Sequence, residues 1–344
     1  MAYPGLMDDL RRIAKLQTPG RVPFFALSEE FDVRWYDRGT YQEISDDPAK
    51  LAACQSAAVR AFDYDWAWLQ MDDCLEFEPL GVGVKGDGNI LRATCDYRPA
   101  TRATLAALRL PDPTRDGRMP ILLDALRRLR REFGDTVCIC GRVAAPFSST
   151  ALLYGIEETM MLLSGDPELV HATNAFFVEL QARFAQAQFD AGAHAVWVGD
   201  CNAMSNLISL KHYNEFAFGA CRELAARLRR TGLLSFLHNS EIRAPYLARE
   251  TELGVDLISA GPEANIAEAR RATAGRTALC GNLDPVNVLM NGTPAQVESE
   301  VARIMGVCRP GGAYVFNSGE MIPRDTPEAN MRAMAAAVRR LGRY

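Results

Sequence analysis

Two periodicities alternate along this chain. Short runs of consecutive apolar residues are followed by longer stretches in which apolar residues recur every three or four positions. The first pattern predicts buried strands at 22–27, 66–71, 137–143, 195–199, 234–237, 256–259, 277–279 and 313–317. The second predicts helices at 48–62, 118–133, 167–191, 211–230, 241–253, 294–307 and 327–341. Local signals mark the helix ends. Asp46-Asp47 can cap the helix that opens at Pro48, and Asp166 precedes Pro167. Gly134, Gly192, Gly232 and Gly254 follow last turns, where glycine ends a helix most easily.

Eight strand-then-helix units within 344 residues predict an α/β fold, a single (β/α)8 TIM barrel over 1–344 with an N-terminal helical extension. An open doubly wound sheet is the rival. It would call for a glycine-rich phosphate loop after the first strand, but that strand runs into Ser28-Glu-Glu-Phe31. One segment interrupts the alternation. Gly81-Val-Gly-Val-Lys-Gly-Asp-Gly-Asn-Ile-Leu91 reads as a β-hairpin with a tight Gly-Asp-Gly-Asn turn. It belongs to an expected insertion, about 74–117, over the barrel mouth.

Composition narrows the function classes. The net charge of −5 offers no electrostatic surface for nucleic acid, and arginine clusters such as 127–131 read as solvated helix faces. No apolar run approaches the ~18 residues of a membrane span, and the N-terminus lacks a signal-peptide core, so a cytoplasmic protein is expected. The nine scattered cysteines are expected to be reduced thiols.

The chemistry gathers at strand ends. In a barrel the C-terminal strand ends form the catalytic face. Reading only those ends yields Asp72-Asp73-Cys74, Arg142, Asp200-Cys201-Asn202, His238-Asn239-Ser240, Cys280-Gly-Asn282 and Ser318-Gly-Glu320. An imidazole, thiols and carboxylates at one face suit a metal site or general acid–base catalysis. His171, His194 and His212 fall on or after helices and are expected at the surface or at helix ends.

Several segments resemble the uroporphyrinogen decarboxylase superfamily, which includes cobalamin-dependent methyltransferases. They are Glu78-Pro-Leu-Gly81, Ala145-Pro-Phe147, Cys280-Gly-Asn-Leu-Asp-Pro285 and the stretch from Phe316 through Asn-Ser-Gly-Glu-Met-Ile-Pro to Asn330. The resemblance implies a (β/α)8 barrel. It does not carry over the arginine-bearing segment that true decarboxylases place after the first strand, where this chain has Ser28-Glu-Glu-Phe31. Acidic residues there would repel a polycarboxylated porphyrinogen. The methyltransferase branch fits better, with His238 at its zinc-binding histidine. Ser240 and Glu320 stand at or beside its cysteine positions.

The resemblance therefore implies a zinc-assisted methyltransferase between a small-molecule donor or acceptor and a corrinoid, free or on a partner protein. His238, Glu320 and Asp200 are the expected catalytic residues, and His238, Glu320 and Cys280 the expected metal ligands. Asp72, Asn282, Arg142 and Tyr154 are expected to position substrate or corrinoid. Replacing thiolate by carboxylate makes a harder ligand set and a stronger Lewis acid. The alternatives are a decarboxylase or lyase using His238 without metal, and a tetrapyrrole-binding protein without catalysis. The decarboxylases it resembles also suggest a homodimer.

Overall fold

The computed structural model describes residues 3–344. Its main sheet has seven parallel strands in sequence order: β1 (Trp66–Trp68), β4 (Cys138–Ala144), β5 (Ala195–Gly199), β6 (Leu234–His238), β7 (Leu257–Ser259), β8 (Ala278–Cys280) and β9 (Tyr314–Val315). The two intervening strands, β2 (Gly83–Lys85) and β3 (Ala93–Cys95), form a separate antiparallel hairpin. Consecutive pairing of parallel strands requires helical crossovers, and the predicted helices supply all but the one between β7 and β8, which is Ile266–Thr273. Strands are buried on both faces, so they read as continuous apolar runs without alternation.

The expected first strand does not form a ladder. Its residues instead lie between the two edges of the curled sheet. Phe25 N–H donates to Phe316 O at 2.8 Å, Phe316 N–H to Pro23 O at 3.0 Å, and Asp65 N–H to Phe24 O at 2.8 Å. Pro23 has no N–H to offer, and the Phe24 N–H is taken by the Asp65 carboxylate at 2.8 Å. What is observed is thus a seven-stranded curled sheet with one bridging segment.

Most helix ends follow the sequence signals. Asp47 accepts from Ala49 and Lys50 N–H groups at the start of Pro48–Phe62. Gly192, at φ 101°, follows the long helix Pro167–Asp190. Helices Pro146–Tyr154, Ile156–Gly165 and Ile266–Thr273 lie outside the predicted set. The first is buried nearly all round and so lacks the polar face of a surface helix, and the second buries only Thr159 and Leu163. At the N-terminus the helix Leu6–Ala14 buries Leu6, Met7, Leu10 and Ile13. The hairpin is real but its loop is longer than expected, pairing Lys85 with Ala93. Residues in that loop bond elsewhere: Gln42 N–H donates to Gly88 O, and Tyr41 N–H to Asn89 Oδ1. Among the described residues, no helix is long and apolar enough to cross a membrane.

Candidate metal centre and cavity

Parallel register brings the ends of β5, β6 and β7 side by side. Gly199 pairs with His238, and Cys201, two residues beyond Gly199, lines the same cavity as His238. His238 is buried and clamped from three sides. Its Nδ1 lies 2.7 Å from Ser259 Oγ at the end of β7, its ring stacks on Trp197 of β5 at 5.1 Å, and its Nε2 lies 3.3 Å from Glu320 Oε2. Ser240 Oγ joins the pair, donating to Glu320 and lying 3.3 Å from His238 Nε2. Ser240 sits at φ 55°, and its carbonyl presses on Gly261, where an added Cβ would lie 2.3 Å from it. Gly261 is therefore needed for the backbone approach that places Ser240.

Cys201 completes the cluster. It opens a short 3-10 turn, Cys201–Ala203, directly after β5. Ligand atoms of Cys201, His238 and Glu320 all lie within 4.8 Å of one another. Burial opposes charge on the imidazole, but the Glu320 carboxylate and the hydrogen bond with Cys201 outweigh it and raise His238 well above the usual histidine range. Burial likewise opposes charge on Glu320, yet His238 and Ser240 hold its carboxyl below the usual range. The Cys201 residue keeps surface, but its thiol faces the cavity, where lost hydration raises it. Nitrogen, sulfur and carboxylate oxygen are a donor set that zinc accepts, so this cluster could coordinate a metal ion.

The cluster opens into a cavity of about 670 Å³. Apolar walls come from Leu27, Trp68, Val143, Leu152, Trp197 and Met321, and polar groups include Gln70, Asp73, Arg142, Ser148 and Asn202. Arg142 is a wall residue held from behind. Gln188 clamps its backbone, accepting from Arg142 N at 3.0 Å and donating to Arg142 O at 2.8 Å. Gly141 makes this clamp feasible, since any Cβ there would collide with Gln188 Oε1. The guanidinium is paired with buried Glu76 at 2.5 Å and with Asp73 at 3.2 Å.

The remaining expected site residues lie apart from this cluster. Cys280 is fully buried at the end of β8, and burial pushes its thiol up to about 12. It is not among the clustered ligand atoms, whereas Cys201, noted at a strand end but not chosen as a ligand, is. A thiol enclosed in the core has no open position to offer a metal. Asp200 is buried behind Ser148, whose Oγ donates to it at 2.8 Å, and burial raises its carboxyl to about 7. Ser148 faces the cavity, so Asp200 touches it only through that hydroxyl.

Asp72 binds the Arg118 guanidinium at 2.8 and 3.1 Å and caps Cys74 N–H. Asn282 donates to Gly261 O and Ala264 O, bracing the loop beneath Ser240. Tyr154 lies in a separate apolar cluster with Phe77 and Phe177, its hydroxyl 3.2 Å from Thr173 Oγ1. None of Asp72, Asn282 and Tyr154 lines the cavity. Glu29, read as an acidic barrier, is also buried. It accepts from Gln70 N–H, Met71 N–H and Tyr41 OH, and these bonds end β1 early.

Relatives agree with this architecture. A uroporphyrinogen decarboxylase from Anaeromyxobacter dehalogenans is 27% identical over 323 residues, 88% of each chain. A methylated-thiol–coenzyme M methyltransferase from Methanosarcina mazei is 26% identical over 295 residues, covering 85% of this chain and 77% of that one. A solved methyltransferase structure from Methanosarcina mazei superposes with a TM-score of 0.88 at 20% identity, covering 97% of this chain and 98% of that chain. The family model described as uroporphyrinogen decarboxylase (URO-D) matches residues 6–341, and the chain belongs to that family.

Proposed function

We propose that this protein is a metal-assisted methyltransferase acting between a small methyl-bearing molecule and a corrinoid. The observation that carries the reading is the Cys201–His238–Glu320 cluster at the floor of the cavity. His238, Glu320 and Cys201 would hold zinc, with Cys201 in the place first expected of Cys280. Bound there, zinc would supply Lewis acidity toward the substrate atom that carries the methyl group. Ser259 would fix the imidazole by holding Nδ1, leaving Nε2 for the metal. Ser240 would keep the Glu320 carboxylate oriented. Trp197 would exclude water from one face of the imidazole. The cavity would take a small substrate against its apolar walls, and a corrinoid would meet it from outside, free or on a partner protein.

A decarboxylase reading gains less support. Among the described residues Arg142 is the single arginine lining the cavity, and its charge is already met by Glu76 and Asp73. Little positive charge is left for a polycarboxylate. We also read the chain as one barrel domain, with the bridging segment at 22–27 as its eighth stave and 74–117 as an insertion. A cytoplasmic location and a homodimer belong to the same proposal.

Metal analysis of the purified protein tests the ligand set. About one equivalent of zinc is expected, falling to trace levels in His238→Ala, Glu320→Ala and Cys201→Ala. Full retention of metal in all three variants overturns it. Transfer of a methyl group from methylcobalamin to a candidate acceptor, followed spectroscopically, tests the reaction itself.

A further inference from the structure

The charged side chains that line the cavity are paired with one another. Arg142 is held by Asp73 in the wall and by Glu76 behind it, and His238 faces Glu320. An incoming anion meets no free cation there, and an incoming cation meets no carboxylate without a partner. Either ion would shed water without gaining a counter-charge, which makes its burial costly.

The neutral polar groups are in the opposite state. Gln70 is buried, and its Nε2 donates to Asp73 at 2.6 Å. That bond fixes the amide and leaves Oε1 without a donor. Asn202 follows Cys201 in the 3-10 turn and also lines the cavity. Its backbone N–H donates to Ser148 Oγ at 3.1 Å, but its side-chain amide has no partner among the described residues. Trp68 lines the same cavity at 3% exposure, its ring packed against Trp66 and Trp197. Its Nε1–H has no acceptor among the described residues. A buried donor without an acceptor is destabilising, and an occupant of the cavity can supply one.

We propose that the cavity selects an uncharged substrate whose polar head both accepts and donates hydrogen bonds, as an amide or an alcohol does. The Trp68 N–H and the Asn202 amide would donate to its oxygen, and Gln70 Oε1 would accept from its N–H or O–H. Leu27, Val143, Leu152 and Met321 would pack against its hydrocarbon part. Asn202 is thereby a specificity-determining residue. The inference rests on the methyltransferase reading for its place in a reaction, and it narrows that reading to one substrate class.

Ligand-observed NMR titration with three probes of one shape tests it: isobutyramide, the isobutyrate anion and the isobutyramidinium cation. The full-length protein is stripped of metal first, so that no probe binds through a metal ion. Isobutyramide is expected to bind about tenfold tighter than either ion. Asn202→Leu keeps the size of the side chain and removes its hydrogen bonds. It should weaken isobutyramide severalfold and leave both ions within about twofold. Asn202 is only half-buried, so the substitution spares the core, and the wild-type comparison needs no variant. An ion that matches or outbinds isobutyramide overturns the inference. So does the absence of isobutyramide binding at tens of millimolar, or an Asn202→Leu variant that binds all three probes as before. The methyltransferase reading stands or falls separately, on metal analysis and on methyl transfer from methylcobalamin.

Discussion

His238 and His194 each face a carboxylate at short range, 3.3 Å to Glu320 and 3.1 Å to Asp135, yet they shift in opposite directions. His238 closes the C-terminal end of β6, while His194 immediately precedes β5 at the opposite end of the sheet. Both rings are buried, with side-chain exposures of 6% and 7%. Burial lowers both, so burial does not separate them. The partners do. Glu320 is half sheltered and, among the described residues, is ion-paired with no arginine, so its charge acts on His238 with little competition. Asp135 is 61% exposed and shares its charge with Arg130 at 2.8 Å.

Hydrogen-bond direction adds to the contrast. The Ile139 N–H donates to His194 Nδ1 at 3.0 Å, which needs the lone pair of a neutral ring. Burial first, and then Arg130, lower His194 to about 4. His238 instead presents Nδ1 to a hydroxyl that can accept. The base of the sheet thus holds a structural histidine, and the strand-end face holds one ready to exchange a proton or bind a metal.

Substitution should break this symmetry most strongly at the strand-end face. His238→Ala is expected to lower methyl transfer at least about 100-fold, whereas His194→Ala should leave turnover within about twofold. Steady-state kinetics of folded variants checks both. Comparable losses in the two variants would show that the two ends are not functionally distinct.

A second comparison concerns carboxyls rather than histidines. Glu250 is fully buried and is bonded to the neutral Asn239, with His238 only a minor opposing influence. Burial raises it to about 8, despite a 2.6 Å hydrogen bond from Asn239. Its folded value lies above the unfolded one near 4, so the folded state holds the extra proton between the two. Its contribution is full below about pH 4 and is lost as pH rises toward 8. Glu250→Gln should therefore gain stability at pH 8 relative to wild type, by up to about 1.4 kcal/mol per pH unit removed from the slope. Denaturant unfolding from pH 5 to 8 measures it. An unchanged slope would place the proton elsewhere.

His194 gives the opposite slope. Its folded value lies below the unfolded 6.5, so the unfolded state binds the proton first. Its contribution is full above about pH 6.5 and is lost as pH falls toward 4. His194→Ala should cost about 1–3 kcal/mol at pH 7, because it leaves the buried Ile139 N–H without an acceptor. That deficit should narrow on acidification. Asp135→Asn is the smallest change, within about 0.5 kcal/mol, because the carboxylate is exposed and already shared. Thermal melts at pH 5 and 7 order these effects, and a large Asp135 effect would contradict the screening assigned to it.

The placement of His194 also marks where sequence reading stopped. Its position after a helix suggested the surface or a helix end; it does follow the helix end, but its ring is 7% exposed because it fills the gap before β5. Cys201 shows the same limit. It was visible beside a strand end, but nothing in the spacing separated it from Cys280, which ends a strand outright. The turn Cys201–Ala203 brings one thiol to His238, while the core closes over the other. Asp72 was likewise a correct strand-end carboxylate, but Arg118, 46 residues away in sequence, occupies it.

The sequence by itself determined the strand-and-helix alternation, most helix ends, and the placing of His238 and Glu320 at or after strand ends. These depend on residue type and on spacing within a few positions, which local hydrogen bonding and burial periodicity fix. The tertiary structure alone decided which thiol joins His238 and Glu320, the pairing of Arg142 with two carboxylates, and which histidine is structural. Those outcomes depend on distances between residues tens to hundreds of positions apart. Electrostatic and hydrogen-bonding energies change steeply over a few ångströms, and no local pattern encodes such separations.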